Sequence, residues 1–287
     1  MPNYKKIQRI KLNSLMLSKQ FFAGNFKSLF KGNGSNFKEL REYNIGDDIK
    51  SIDWKTSARY AKPFVKINEE ERLQKIYFLI DVSKSIEFGT SDRTIKDIIA
   101  EICFILAYSC FKNNDEVGAI FFSNKVEKII PFSNHKNILS IIAKELIDFK
   151  PTNSGTNYKD TLEYVNLSVK KNTVIFFISD FISDFDYEKE LAIFSKKFNP
   201  IIIQINDTFE ENIPKTNLIK VLDKEKQVVR YVEISDAEKI KSQILQKQLL
   251  FEKKLKQYRI KFISINTDEN YILKIKTFFD KYKTYKY

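Results

Sequence analysis

The stretch KIYFLIDVSKSIEFG, residues 75–89, decides the fold class, because a strand-like apolar run ends there in a cluster of oxygen-bearing side chains. β-Branched and aromatic residues fill KIYFLI, as is typical of a buried strand. Asp81, Ser83 and Ser85 follow at once. Burying an acid and hydroxyls without partners is costly. The pattern therefore indicates either an ordinary polar strand end or a set of oxygens that holds a ligand.

Similar apolar runs recur along the chain and alternate with segments of helical periodicity. Strands are predicted at residues 75–81, 117–123, 125–132, 173–180, 200–205 and 261–267. Helices are predicted at residues 94–114, 135–149, 158–171, 188–198, 236–258 and 269–283. This alternation predicts an α/β, Rossmann-like fold with a mostly parallel central sheet and helices on both faces. We expect two hairpins, at 117–132 and 221–234, to add antiparallel edges.

A short N-terminal extension, residues 1–70, is predicted to precede the main domain, residues 71–287. Within it, LREYNIGDDIKSIDWKTSARY (40–60) carries charges that alternate in sign. This cluster indicates either an ion-pair network that ties the extension to the main domain or a docking surface, since Arg, Trp and Tyr favour interfaces. The candidate partner-binding residues are Arg41, Tyr43, Trp54 and Arg59.

The net charge of +12, from 49 basic and 37 acidic residues, leaves a nucleic-acid or anionic-surface binder open as an alternative. The basic residues are spread along the chain and are mostly Lys, which favours a solvated surface instead. Cys103 and Cys110 lie in one predicted helix with their Cα atoms roughly 10 Å apart, too far for a disulfide. No apolar run of transmembrane length and no signal peptide is evident, so we expect a cytoplasmic protein.

Few residues suited to catalysis are present. The only histidine is His135, which we expect at the surface, and neither a GxSxG elbow nor a P-loop occurs. We therefore expect a non-catalytic protein. A metal-dependent phosphohydrolase or nuclease remains an alternative, because Asp81, Asp180 and Asp184 are able to bind cations.

Three chain segments bring oxygen atoms to one edge of the predicted sheet. Ligands bind at the carboxyl ends of strands in open α/β sheets. Asp81, Ser83 and Ser85 follow the first main strand, Thr156 lies in a loop before a helix, and Asp180 follows TVIFFIS. An all-oxygen set of this kind suits Mg²⁺, or less selectively Mn²⁺ or Ca²⁺.

The order DVSKS, Thr156, Asp180 resembles the metal-ion-dependent adhesion site (MIDAS) of von Willebrand factor A domains, whose pattern is DxSxS, then Thr, then Asp. Upstream, GNGSNFKELREYNIGDDIKSIDWKTSAR (32–59) resembles the family known as domain of unknown function 58. That family pairs a von Willebrand factor A-like domain with a preceding segment. The resemblance spans about residues 24–185.

This resemblance implies a metal-dependent protein-binding protein of the adaptor or co-chaperone type. Asp81, Ser83, Ser85, Thr156 and Asp180 would hold Mg²⁺, and an Asp or Glu of a partner would complete the metal's coordination. The implied partner is a MoxR-type AAA+ ATPase or its client. Family members often carry an acid where this chain has Asn157, so we expect weaker metal affinity here. Many members also carry N-terminal transmembrane helices, which we do not expect in this chain.

Overall fold

The computed structural model describes residues 39–49, 52–67, 74–87, 94–152, 155–182, 185–206, 218–223 and 228–283. Its strands are β1 (Glu39–Glu42), β2 (Phe64–Ile67), β3 (Lys75–Asp81), β4 (Glu116–Phe122), β5 (Val126–Ser133), β6 (Val174–Ser179), β7 (Asn199–Asn206), β8 (Leu218–Asp223), β9 (Val228–Glu233) and β10 (Lys261–Asn266). Its helices are α1 (Trp54–Tyr60), α2 (Ile95–Lys112), α3 (Asn137–Asp148), α4 (Tyr158–Ser168), α5 (Glu188–Lys197), α6 (Ile234–Gln257) and α7 (Tyr271–Lys283).

A six-stranded sheet in the order β10-β7-β6-β3-β4-β5 forms the centre of the molecule. All neighbouring strands are parallel except β4 and β5, which pair antiparallel. The chain leaves β3 towards β4 and β5 on one side and later fills β6, β7 and β10 on the other. The strand order therefore reverses between β3 and β6, the position at which ligands bind in such sheets. The predicted α/β architecture is confirmed, as is the antiparallel edge at β5.

Alternate side chains of the sheet face two separate apolar layers. On β3, Ile76, Phe78 and Ile80 face the layer that contains α2, α3 and α7. Tyr77 and Leu79 face the layer that contains α4, α5 and α6. Because both faces are covered, a strand such as β6 is buried along its whole length, which explains why it reads as an apolar run without alternation.

The second predicted hairpin forms, but its predicted place is wrong. Strands β8 and β9 pair only with each other, in a two-stranded sheet apart from the central one. Strand β9 ends at Glu233 and α6 begins at Ile234. Because no linker separates them, the hairpin stays against α6, which contacts both of its strands, and it does not extend the central sheet.

The described part of the N-terminal extension, residues 39–67, is held together by its own polar contacts. Strands β1 and β2 pair antiparallel, and α1 lies between them in the chain. The guanidinium of Arg41 lies 2.7 Å from the Asp47 carboxylate. The Ser57 hydroxyl donates to the Asp53 carbonyl and accepts from the Phe64 backbone N–H, both at 2.8 Å. The alternating charges thus stabilise the extension itself. Residues 1–38 lie outside the described ranges, and the division at residue 70 stays a prediction.

Both cysteines lie in α2 and are buried and unpaired, as expected. Burial raises the pKa of the Cys103 and Cys110 thiols well above the ordinary value, so both remain protonated at neutral pH. Among the described residues, no helix combines the length and the apolar character that crossing a membrane requires.

Gly118 of β4 tests how tightly the sheet is packed near its edge. A Cβ atom there would lie 2.6 Å from Cε1 of Tyr77 and 2.7 Å from the carbonyl oxygen of Ile130. Because a ring in the core and a backbone atom cannot both retreat, we expect Gly118→Ala to lower the free energy of unfolding by about 1–3 kcal/mol, measured by urea denaturation.

Gly155→Ala is the matched control for this substitution. Its Cβ would approach only the side-chain end of Asn124, whose Oδ1 is 2.8 Å away and exposed enough to rotate. We expect a smaller loss, below about 1 kcal/mol. Equal losses in the two variants would contradict the packing argument.

Candidate metal centre

Asp81 is the centre of the cluster and is completely buried. It is the last residue of β3, so its side chain lies at the carboxyl edge of the sheet. Its Oδ1 accepts a hydrogen bond from the Ser83 backbone N–H at 2.8 Å, the local turn typical of Asp before a bend. Its Oδ2 accepts one from the Ser179 hydroxyl at 2.6 Å. Both oxygens are therefore held in fixed positions.

The two serines of DVSKS lie next to each other above Asp81. Ser83 is fully buried, and Ser85 is half-buried in a single 3-10 turn at Lys84–Glu87. Their hydroxyl oxygens are 2.9 Å apart. That spacing allows two neighbouring oxygens to face one cation, and it places the accessible side of the cluster at Ser85.

Asp180 comes from the neighbouring strand. It follows β6 directly and is only 5% exposed. Its Oδ1 accepts from the Ile182 backbone N–H at 3.4 Å, and its carbonyl accepts from the Gln204 side chain of β7 at 3.1 Å. Since β3 and β6 are adjacent and parallel, the two carboxylates are brought to the same place by the reversal of strand order.

Thr156 reaches the cluster from the loop before α4. Its hydroxyl is 3.5 Å from Oδ2 of Asp81, the longest of the contacts to that carboxylate. The structure thus brings together all five predicted metal-site residues: Asp81, Ser83, Ser85, Thr156 and Asp180. Asp184, the further acid of the hydrolase alternative, lies outside the described residues.

The side chain of Asn157 caps the helix that follows the Thr156 loop. Its Oδ1 accepts from the Asp160 backbone N–H at 3.0 Å and its Nδ2 donates to the Asp160 carboxylate at 3.0 Å. Asn157 is therefore the N-cap of α4, a position that Asn fills well. Whether an acid at this position would strengthen metal binding stays a prediction.

The electrostatics of the cluster favour a cation. Burial, and then the negative charge of Asp180, raise the pKa of the Asp81 carboxyl to about 7. In the described part of the chain, no Lys, Arg or His side chain contacts either carboxylate; hydroxyls and backbone N–H groups do. Two buried acids without a basic partner repel each other and lose hydration. A divalent cation between them would remove both costs.

Two side chains of the cluster were missed from the sequence, Ser179 and Tyr158. Both are buried, and their hydroxyl oxygens are 2.6 Å apart. Because the single Ser179 proton is donated to Asp81, Tyr158 donates to Ser179. Burial and the two nearby acids raise the pKa of Tyr158 well above its ordinary value, so it remains a donor. In the sequence, the sign of Ser179 was a polar residue at the end of the apolar run VIFFIS (174–179).

A strained residue follows Asp180. Phe181 has φ of 53°, in the left-handed region that bulky residues rarely occupy. Its ring stacks on Tyr158 at 5.4 Å and on Phe251 of α6 at 4.8 Å between centroids. Such strain persists where the surroundings fix it, and it is concentrated at functional sites. Here aromatic packing holds the turn that places Asp180.

The donor set fits a hard divalent cation. Two carboxylates and three hydroxyls are oxygen ligands of the kind that Mg²⁺, Mn²⁺ and Ca²⁺ take. Among the described residues there is no group of three or more His, Cys, Asp or Glu side chains suited to a metal, so a softer zinc-type site is not built from them. In this cluster, three of the five candidate metal ligands are hydroxyls.

The four predicted partner-binding residues lie on the extension. Arg41 is engaged with Asp47, and Tyr43 is half-buried. Trp54, the first residue of α1, is 68% exposed, and Arg59 is exposed in the last turn. Trp54 and Arg59 are thus available for contact, whereas Arg41 contributes to the extension's own structure.

Removing the negative charge of Asp81 should stabilise the metal-free protein. In Asp81→Asn, the new amide Nδ2 can donate to Ser179; Ser179 can then donate to Tyr158, and Tyr158 to Asp180 Oδ1, which is 3.4 Å away. We expect the free energy of unfolding in chelator at about pH 8 to rise by about 2 kcal/mol, since one buried charge and its repulsion are lost. Chemical denaturation measures it.

The control for this substitution is Asp186→Asn, which changes an exposed acid in the loop between β6 and α5. We expect a change of less than about 0.5 kcal/mol there. A destabilised Asp81→Asn protein would show that the Asp81 carboxylate is already compensated without a cation.

The chain is similar in sequence to a mycobacterial protein and in structure to several solved proteins. An uncharacterized protein of Mycobacterium tuberculosis is 20% identical over 216 residues, which cover 75% of this chain and 68% of that protein. Among solved structures, the conserved hypothetical protein BatB from Bacteroides thetaiotaomicron is 13% identical, with a TM-score of 0.45 over 72% of this chain and 98% of that one.

Two further structures contain von Willebrand factor A domains or a MIDAS motif. A von Willebrand factor type A protein from Catenulispora acidiphila is 10% identical, with a TM-score of 0.34 over 47% of this chain and 34% of that one. Proximal thread matrix protein 1 of the mussel byssus, solved with a zinc-occupied MIDAS motif, is 18% identical, with a TM-score of 0.37 over 47% of this chain and 38% of that one.

The family assignment depends on the sequence match. Residues 39–249 match the family described as protein of unknown function DUF58. The match begins at β1 and continues into α6, so it includes the extension from residue 39 onward and every residue of the candidate metal centre. The chain therefore belongs to the DUF58 family.

Proposed function

We propose that this protein binds another protein through a divalent cation held by Asp81, Ser83, Ser85, Thr156 and Asp180, and that it catalyses no reaction there. The observation that carries the proposal is the buried pair Asp81 and Asp180, which has hydroxyl neighbours and no basic partner among the described residues. Mg²⁺ is the proposed ion, because hard oxygen donors and retained water suit it.

The accessible side of the cluster supports a role for a partner's acid. Asp81 and Ser83 are fully buried, whereas Ser85 and Thr156 are half-buried. A bound cation would therefore be reachable past these two hydroxyls. With only two protein carboxylates the cation remains electrophilic, and an Asp or Glu side chain of the partner would supply the missing ligand.

The position of the only histidine supports a non-catalytic role. His135 is exposed and follows β5. Because β5 runs antiparallel to β4 and its Ser133 pairs with Val117 at the amino end of β4, His135 lies at the edge of the sheet opposite to Asp81. His135 is thus poorly placed to serve as a general base at the metal centre, because a general base must lie within hydrogen-bonding distance of the reacting group.

The proposed partner is a MoxR-type AAA+ ATPase or its client, with the protein acting as an adaptor in the cytoplasm. The resemblance of the segment 32–59 and of the DVSKS site supports this. Exposed Trp54 and Arg59 supply a second contact surface of the composition that interface hot spots have. A single partner would then contact the metal centre with one part of its surface and the extension with another.

Metal titration tests the first half of the proposal. We expect Mg²⁺ and Mn²⁺ to bind the purified protein with a stoichiometry near one in calorimetry, and Asp81→Ala to abolish binding because the buried ligand is lost. Glu145→Ala, which removes an acid paired with Lys128 elsewhere, is the control and should bind normally. Binding that survives in Asp81→Ala would place the cation elsewhere.

Partner binding tests the second half. We expect a purified MoxR-type ATPase from the same organism to bind in Mg²⁺ and to be released by chelator. Thr156→Ala should bind at least tenfold more weakly while its thermal unfolding in chelator stays unchanged, because a half-buried hydroxyl is lost without a core contact. Binding that ignores both chelator and Thr156→Ala would exclude the metal bridge.

A further inference from the structure

Thr156 is held in place from one side of the site, by the turn between β4 and β5. The backbone N–H of the next residue, Asn157, donates to the Ser123 carbonyl at 3.0 Å. Ser123 follows β4 and is completely buried. On the other side of Thr156, Gly155 lies beside the exposed side chain of Asn124, which belongs to the same turn.

The carboxylate of Glu127, in β5, joins this turn to the start of the same loop. It accepts from the Ser123 hydroxyl at 2.5 Å. It also accepts from Thr152, through the backbone N–H at 3.2 Å and through the hydroxyl at 2.9 Å to Oε1 and 2.7 Å to Oε2. One half-buried acid thus fixes two chain segments that are 29 residues apart in sequence.

We propose that Glu127 is a positioning residue for the metal centre, which sets metal affinity by holding the loop that carries Thr156. This inference rests on the proposed function. Thr156 makes the longest contact to Asp81, at 3.5 Å, whereas the backbone next to it is held by the shorter hydrogen bond from Asn157 to the β4–β5 turn. Charge-assisted hydrogen bonds are stronger than neutral ones, so a carboxylate at position 127 holds this loop better than a neutral residue would.

The alternative role of Glu127 is purely structural, as the one acid of the edge strand β5. A second acid that contacts β5 serves for comparison: Glu145 of α3 pairs with Lys128 of β5 at 2.6 Å. That pair joins α3 to β5 and contacts neither Ser123 nor Thr152. If Glu127 acted only by stabilising the edge, its loss and the loss of Glu145 would have similar effects on metal binding.

A double-mutant cycle on metal affinity separates these roles. Mn²⁺ affinity is measured by calorimetry for the wild type, Glu127→Ala, Thr156→Ala and the double variant. We expect Glu127→Ala to weaken binding 10- to 100-fold, as substitutions of residues that orient metal ligands do. In the Thr156→Ala background we expect Glu127→Ala to have no further effect, because the residue through which it acts is gone. Glu145→Ala should bind Mn²⁺ as the wild type does.

Glu127→Gln is the second variant to measure if Glu127→Ala is too unstable to purify. Its amide oxygen can still accept from Thr152, so we expect a loss of affinity smaller than in Glu127→Ala, with faster amide hydrogen exchange at residues 155–157 in chelator. The inference is overturned if Glu127→Ala binds Mn²⁺ normally, or if it weakens binding equally with and without Thr156. If wild-type protein bound no Mn²⁺, the proposed function would fail together with this role.

Discussion

The structure depends on one electrostatic constraint: two carboxylates, Asp81 and Asp180, are buried side by side at the carboxyl edge of the sheet. A buried acid retains its charge only where other groups replace the lost water. Here Ser179, Ser83 and backbone N–H groups replace part of it. In the proposed function a cation would supply the rest of the compensation, and the acids that weaken the metal-free fold would be those that bind the metal.

The topology of the sheet brings Asp81 and Asp180 together. Parallel strands end at one edge of the sheet, and the strand order reverses between β3 and β6, so the residues that follow these two strands lie next to each other. Both strands are buried on both faces, so the backbone that carries the acids has little freedom to move. The serines and Thr156, by contrast, lie on a short turn and a loop. The site therefore combines fixed charges with more adaptable hydroxyls.

The fold could be predicted from the sequence largely because its strands are uniformly apolar and its helices periodic. The set Asp81, Ser83, Ser85, Thr156 and Asp180 could be predicted because strand ends converge in such sheets. The place of the β8–β9 hairpin could not, since local pattern specifies pairing within a hairpin but not what the hairpin packs against. Ser179 and Tyr158 were also missed, because a single hydroxyl in an apolar run looks the same whether or not it faces an acid.

The stacking of Phe181 on Phe251 connects the turn after Asp180 to α6. The helix has 24 residues, and its far end bears the β8–β9 hairpin, about 25 Å from Phe251 at 1.5 Å per residue. A rotation of about 10° at Phe251 would displace that end by roughly 4 Å, by the same helix geometry. Because Phe181 directly follows Asp180, a change in the position of Asp180 would reach α6, and through α6 the hairpin, by way of these two stacked rings.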